Sequence, residues 1–234
     1  DSVLDALLRG LDRAPFLCSE QRAKFMNLKK LKQAEAAFFA SYPQGFEDPE
    51  IRLIRKKHNM TRLVAQVQDS FAKARFKQSG AVVEDMVRYI GRSSMISLFE
   101  KPKFRDLIRS LNSAEREALA AGFNDLLHGK QQMGFEMVLS ILQSRKLAKW
   151  SLLTILPVYF HPQHEVFVKP TTAKGVIKYF ELSDLAYRPQ PSWEFYEAYR
   201  RQILDMKSRV SPSLSPNNAA FTGFLMMSLR ALKP

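Results

Sequence analysis

The stretch FHPQHEVFVKPTTAKG, from Phe160 to Gly175, gathers residue types that do chemistry: histidines, a glutamate, lysines and hydroxyls. Two histidines three residues apart can share a metal ion on a helix, but Pro162 lies between His161 and His164 and favours a loop or turn there. Glu165 could add an oxygen ligand, yet in an extended segment it alternates away from Val166, and no third ligand lies near. No metal site, catalytic residue or cofactor is assigned. The plainer reading has His164 and Glu165 joining a buried helix to a short extended segment and satisfying backbone groups at the junction. Lys169, Thr171 and Thr172 differ from these: they surround a helix start at Pro170, where free N–H groups and the helix dipole attract negative charge. They form a candidate anion site.

Other chemistry is scarce. The chain carries no Walker loop, dinucleotide glycine fingerprint, nucleophile elbow or H-E-x-x-H pair. Its single cysteine, Cys18, excludes an intramolecular disulfide framework and a multi-cysteine zinc site, and points to a reducing, cytoplasmic setting. Glu84, Asp85 and Asp184 do not form the carboxylate–lysine pattern of a nuclease. The longest apolar stretch, Trp150 to Phe160, falls short of the roughly 20 residues of a membrane span. The opening DSVLDALLRG is acidic where a secretory signal is basic. An enzyme without a recognisable motif is therefore the third reading of function, behind two binding roles.

Charge is the strongest global signal. The 234 residues carry 36 Lys+Arg against 23 Asp+Glu, a net +13. Between Ile51 and Ser110 the balance is 14 basic to 5 acidic, a net +9. Such a surface favours polyanions or an acidic protein. Aromatic residues lie among the charges in FAKARFK (Phe71–Lys77) and EKPKFRDLIRS (Glu100–Ser110), where they could stack on unpaired bases. The candidate nucleic-acid residues are Arg52, Arg55, Lys56, Arg62, Lys73, Lys77, Lys101, Lys103 and Arg105. No helix-turn-helix, zinc finger, basic zipper or RNA-recognition signature accompanies them, so the expected readout is of backbone and shape.

The elements that position these residues read as helices. Expected are a short helix at Ser2–Arg9 and a longer one from a Ser19 cap to Ala40, broken at Tyr42-Pro43-Gln44-Gly45. Asp48-Pro49 opens another in the favoured way, running to Gln78. Leu53, Met60, Val64, Val67, Phe71 and Ala74 make its apolar side, and Arg52, Arg55, Lys56, Arg62, Lys73 and Lys77 a basic stripe. Helices are also expected over Val82–Ser93, Pro102–Ser110, Ser113–Leu127, Gly134–Ser144, Trp150–Val158, Pro170–Glu181, Trp193–Arg209 and from Ser215-Pro216 onward. Glu165–Val168 is the one strand candidate. The expected fold is mainly α, a single multi-helix domain over 1–234 with at most one short β element near residues 164–169. An N-terminal helical hairpin over 1–42 would lean on 46–234.

Four segments in order, GFEDPEIRLIRKKH (Gly45–His58), LLHG (Leu126–Gly129), AKWSLLTILPVYFHPQHEVFVKP (Ala148–Pro170) and PSWEFYEAYRRQI (Pro191–Ile203), resemble a widespread bacterial family of conserved hypothetical proteins. Its pattern is G-F-x-D-P, then K-W-x3-T-x2-P, then H-x-F-x-K-P. Trp150, Thr154, Pro157, His164, Phe167, Lys169 and Pro170 match the specific part. Where the family pattern ends in D-x-Q-S-F, this chain has NNAAF (Asn217–Phe221). The resemblance implies no activity; it marks Trp150–Pro170 as one unit and favours His164 over His161. The resulting expectation is a non-catalytic nucleic-acid-binding or DNA-associated protein, DNA or RNA being open. The alternative is an interaction or regulatory module for an acidic protein partner. No membrane partner is expected.

Overall fold

The computed structural model describes residues 26–231, so the expected Ser2–Arg9 helix, the first arm of the expected N-terminal hairpin, lies outside the described residues, as do the Ser19 cap and Cys18. All regular structure among the described residues is helical, wrapped around one continuous apolar core. Chain order is Leu28–Ser41 (α1), Pro49–His58 (α2), Met60–Ser70 (α3), Ser79–Arg92 (α4), Glu100–Ser110 (α5) and Ser113–His128 (α6). Gln131–Ser144 (α7), Trp150–Phe160 (α8), Pro170–Tyr179 (α9), Trp193–Ser208 (α10) and Asn218–Ala231 (α11) follow.

Local chemistry sets most of these boundaries. Asn27 caps α1 by accepting from the Lys30 amide, and Asp48 caps α2 by accepting from Glu50, with Pro49 at the first helical position. Asn112 and Glu115 exchange hydrogen bonds in a capping box at the start of α6. Ser192 caps α10. The apolar helix α8 is the centre of the molecule: every residue from Trp150 to Tyr159 is buried, and it packs against α3, α4, α6 and α7. Helix α1 meets α11 through Phe38 and Phe224, whose rings cross edge-on 5.3 Å apart.

The helix expected from a Ser19 cap to Ala40 starts instead at Leu28, because the Asn27 side chain caps it there. Two further expectations change. The single helix expected from Pro49 to Gln78 is instead α2, α3 and a 3-10 turn at Lys73–Lys77. Asn59 sits in the left-handed region (φ 47°), which asparagine tolerates better than most residues, and ends α2. Phe71 ends α3 because its ring enters the core against Phe123 and Tyr89. The expected apolar side is split with the helix: Val67 and Phe71 are buried, while Leu53 is 66% exposed and Ala74 faces solvent.

The second change concerns Glu165–Val168. It is extended and fully buried but pairs with no other strand, so no β element forms there. A buried extended backbone must still have its polar groups satisfied. Side chains of three helices take up three of them: Val168 N–H donates to Thr154 Oγ1 (3.0 Å), Val166 N–H to the Tyr196 hydroxyl (3.3 Å), and Asn218 Nδ2 donates to Glu165 O (2.9 Å). Thr154 Oγ1 in turn donates to Trp150 O at 2.8 Å.

The antiparallel pair α6–α7 is closely packed at glycine. A Cβ on Gly134 would lie 2.2 Å from the Leu126 amide nitrogen and 2.5 Å from Gly122 O, both backbone atoms. Gly134→Ala is expected to push the two helices apart and cost about 1–3 kcal/mol or more in urea unfolding. Thr154→Val keeps the side-chain shape but strands the Val168 N–H, and the same measurement should show a loss of about 1–3 kcal/mol. A Thr154→Ser variant, which retains the hydroxyl acceptor, should recover part of it.

Candidate nucleic-acid interface and an adjoining cavity

The nine candidate nucleic-acid residues fall on four elements. Arg52, Arg55 and Lys56 are on α2, Arg62 is on α3, Lys73 and Lys77 are on the 3-10 turn, and Lys101, Lys103 and Arg105 are on α5. The 3-10 turn packs on α4 and α6, and α5 on α4, so these cations are not the single helical stripe expected from periodicity.

Ion pairing sorts them further. Glu47 takes both Arg52 (3.0 Å) and Arg55 (2.8 Å), whose hydrogen bonds, Arg55's first, hold its carboxyl below the ordinary range. The five carboxylates between residues 51 and 110 are all engaged. Asp69 pairs with Arg75, Asp85 with Arg88, Asp106 with Arg105 and Glu84 with Arg116, while Glu100 accepts from Ser151. Among the described residues, Lys56, Arg62, Lys73, Lys77, Lys101 and Lys103 have no ion pair. The positive field of this region is therefore carried mainly by these free cations.

Of the aromatic residues expected beside them, Phe71 and Phe104 are in the core and Phe76 is half-buried against it. Phe71 and Phe104 are 0% and 1% exposed and cannot stack on a base. The exposed ring is Phe99, at 80%, in the residue before α5, with Leu98 at 79% next to it. Sequence reasoning missed it by starting the helix at Pro102. The signal was the apolar Leu98-Phe99 pair directly ahead of the charged EKPK.

The second grouping crosses two separate expectations. Arg52, Arg55 and Lys56 of α2, Lys169 just before α9, and Thr172 of α9 line one cavity of about 650 Å³. Its walls are mainly apolar, with Ile54, Met60, Met95, Phe167, Met226 and Met227 among them. Helix α2 is tied down through its last turn, by Arg55 Nη1 donating to Phe46 O (3.0 Å) and by a 2.7 Å hydrogen bond between His58 Nδ1 and Ser94 Oγ. Thr172 is 4% exposed and makes no side-chain hydrogen bond among the described residues. Thr171 is exposed and not part of this lining.

In the histidine–glutamate stretch, His161 and Glu165 are tied into the fold by hydrogen bonds. His161 Nε2 donates to Leu127 O (3.0 Å) and His161 O accepts from the amides of His164 and Glu165. His164 faces solvent, 6.4 Å ring to ring from His161, and satisfies none of the backbone groups assigned to it from sequence. No group of three metal-ligating side chains occurs among the described residues. Glu165 is 3% exposed and pairs with Arg200 at 2.8 Å. It also accepts from Gln131 Nε2 (2.6 Å) and from the Tyr196 hydroxyl. Burial, reinforced by the Glu165 carboxylate, pushes the Tyr196 hydroxyl far above the usual tyrosine range, so it stays protonated and donates. The Arg200 guanidinium lies over the rings of Trp193 (5.6 Å) and Tyr196 (5.3 Å).

Compared with protein-family models, curated proteins and solved structures, the chain finds no match. No described helix is long and apolar enough to cross a membrane.

Arg200→Ala leaves the buried Glu165 carboxylate without its cation, and the expected loss is about 3–5 kcal/mol in urea unfolding. The double variant Arg200→Met/Glu165→Gln removes both charges and should lose less than Arg200→Ala alone. Equal losses in the two variants would show that the charge pair is not the source.

Proposed function

We propose that the protein is a non-catalytic nucleic-acid-binding protein that takes single-stranded DNA or RNA on its basic surface. The observation that carries this reading is Phe99. An 80% exposed aromatic ring stands directly ahead of Lys101 and Lys103, neither of which has an ion pair among the described residues. Single-strand recognition uses this combination, a ring on which a base stacks beside cations that follow the phosphates. Lys56, Arg62, Lys73 and Lys77 extend the supply of free charge beyond α5. Because the nearby carboxylates are already engaged, a phosphate need not displace an existing pair to reach these cations.

Fluorescence anisotropy with labelled oligothymidine across a salt series tests the reading. Binding is expected to weaken steeply as salt rises. Lys101→Glu/Lys103→Glu should lower both the affinity and the salt slope, by roughly 0.7 for each phosphate that is no longer neutralised. Phe99→Ala should weaken binding by about 1–3 kcal/mol with the slope unchanged, because stacking releases no counterion. Salt-insensitive binding, or full affinity in both variants, would remove the proposal.

A further inference from the structure

We infer that the cavity between α2, α9 and α11 is a binding site for a single-chain amphipathic anion, a long-chain carboxylate being its simplest form. This goes beyond the nucleic-acid reading and does not depend on it. At about 650 Å³ the cavity has the size of a small-molecule site rather than a packing defect. Apolar side chains make up much of its wall, and the methionines Met60, Met95, Met226 and Met227 can adapt to a flexible chain. Several polar side chains of the lining are engaged within the fold: His58 with Ser94, Gln163 with Pro216 O and Thr222 with Asn218 O.

Polarity enters the lining unevenly. Arg52 and Arg55 are already held by Glu47. Lys56 and Lys169, on opposite elements, are exposed and carry no ion pair among the described residues. Thr172, nearly buried and without a side-chain hydrogen bond, offers a hydroxyl to the same space. An occupant that is apolar along its length and anionic at one end matches both the apolar wall and the cationic and hydroxyl groups of the same lining. A neutral hydrocarbon would make no use of the lysines or of Thr172, and a small inorganic anion would leave the apolar walls wet.

Gly223 supplies a way to fill the cavity without disturbing its frame. It lies on α11 in the lining, and a Cβ built there meets only Phe46 Cζ, at 4.0 Å. Gly223→Leu therefore places a side chain in the space a ligand would use, at a helical position where leucine is favoured over glycine.

The test is calorimetric titration of the full chain with oleate below its micelle concentration. Oleyl alcohol, a cationic single-chain amphiphile and inorganic phosphate are titrated in parallel. Saturable one-to-one binding of oleate is expected, with the alcohol and the cation weaker by about tenfold or more and phosphate silent. Lys56→Glu/Lys169→Glu, which alters only exposed side chains, should weaken oleate by a similar factor, Thr172→Val by less, and Gly223→Leu should abolish it. No saturable oleate binding, equal binding of the cationic amphiphile, or oleate binding unchanged in the charge-reversal variant would each overturn the inference. If Gly223→Leu loses its helical circular dichroism, the charge-reversal pair and the wild-type ligand series decide the question without it. The nucleic-acid reading is separately readable, since Lys101→Glu/Lys103→Glu should leave oleate binding intact.

Discussion

The rest of the structure depends on how a stretch of extended backbone is kept in the middle of a helical protein. Glu165–Val168 is buried and has no partner strand, so no ladder of hydrogen bonds satisfies its polar groups. Thr154 from α8, Tyr196 from α10 and Asn218 from α11 take up three of them, and the Glu165 amide donates to His161 O. A buried amide left unpaired costs on the order of 1–3 kcal/mol, so these hydrogen bonds fix where the three helices stand relative to the segment. The Glu165 side chain adds a second tie through Arg200, Gln131 and Tyr196. Asn218 is held in turn by Lys207, whose ammonium donates to its Oδ1 at 2.8 Å.

The same segment places the candidate ligand site. Phe167 belongs to the cavity lining, and the chain leaves the segment directly into Lys169 and the start of α9. Asn217 and Ala220, on either side of the Asn218 anchor, line the cavity as well. A polar tie on one side of the segment and an apolar cavity on the other are thus parts of one arrangement, with α2 closing the cavity from outside.

Much of the helical layout was legible in the sequence because it rests on local rules. Asp48-Pro49 starts α2 as expected, the fully apolar run from Trp150 is the buried central helix, and α9 and α10 begin at Pro170 and Trp193. The long helix from Pro49 to Gln78 failed because periodicity could not report that Asn59 turns left-handed or that Phe71 leaves the helix for the core. The charge between residues 51 and 110 was legible as a total. Which cations are free was not, because that depends on where Glu47, Glu84 and Glu100 reach.

By itself the sequence determined the class of fold, the limits of most helices and the excess of positive charge, since capping, amphipathic periodicity and ionisable-residue count act within a few residues of chain. Only the tertiary structure decided that Glu165 is a buried structural carboxylate, that Phe99 rather than Phe71 or Phe104 meets solvent, and that Lys56 and Lys169 share a cavity. Each of these depends on which distant side chains share one volume, and that is set by packing and by the hydrogen-bonding demands of a buried backbone rather than by local pattern.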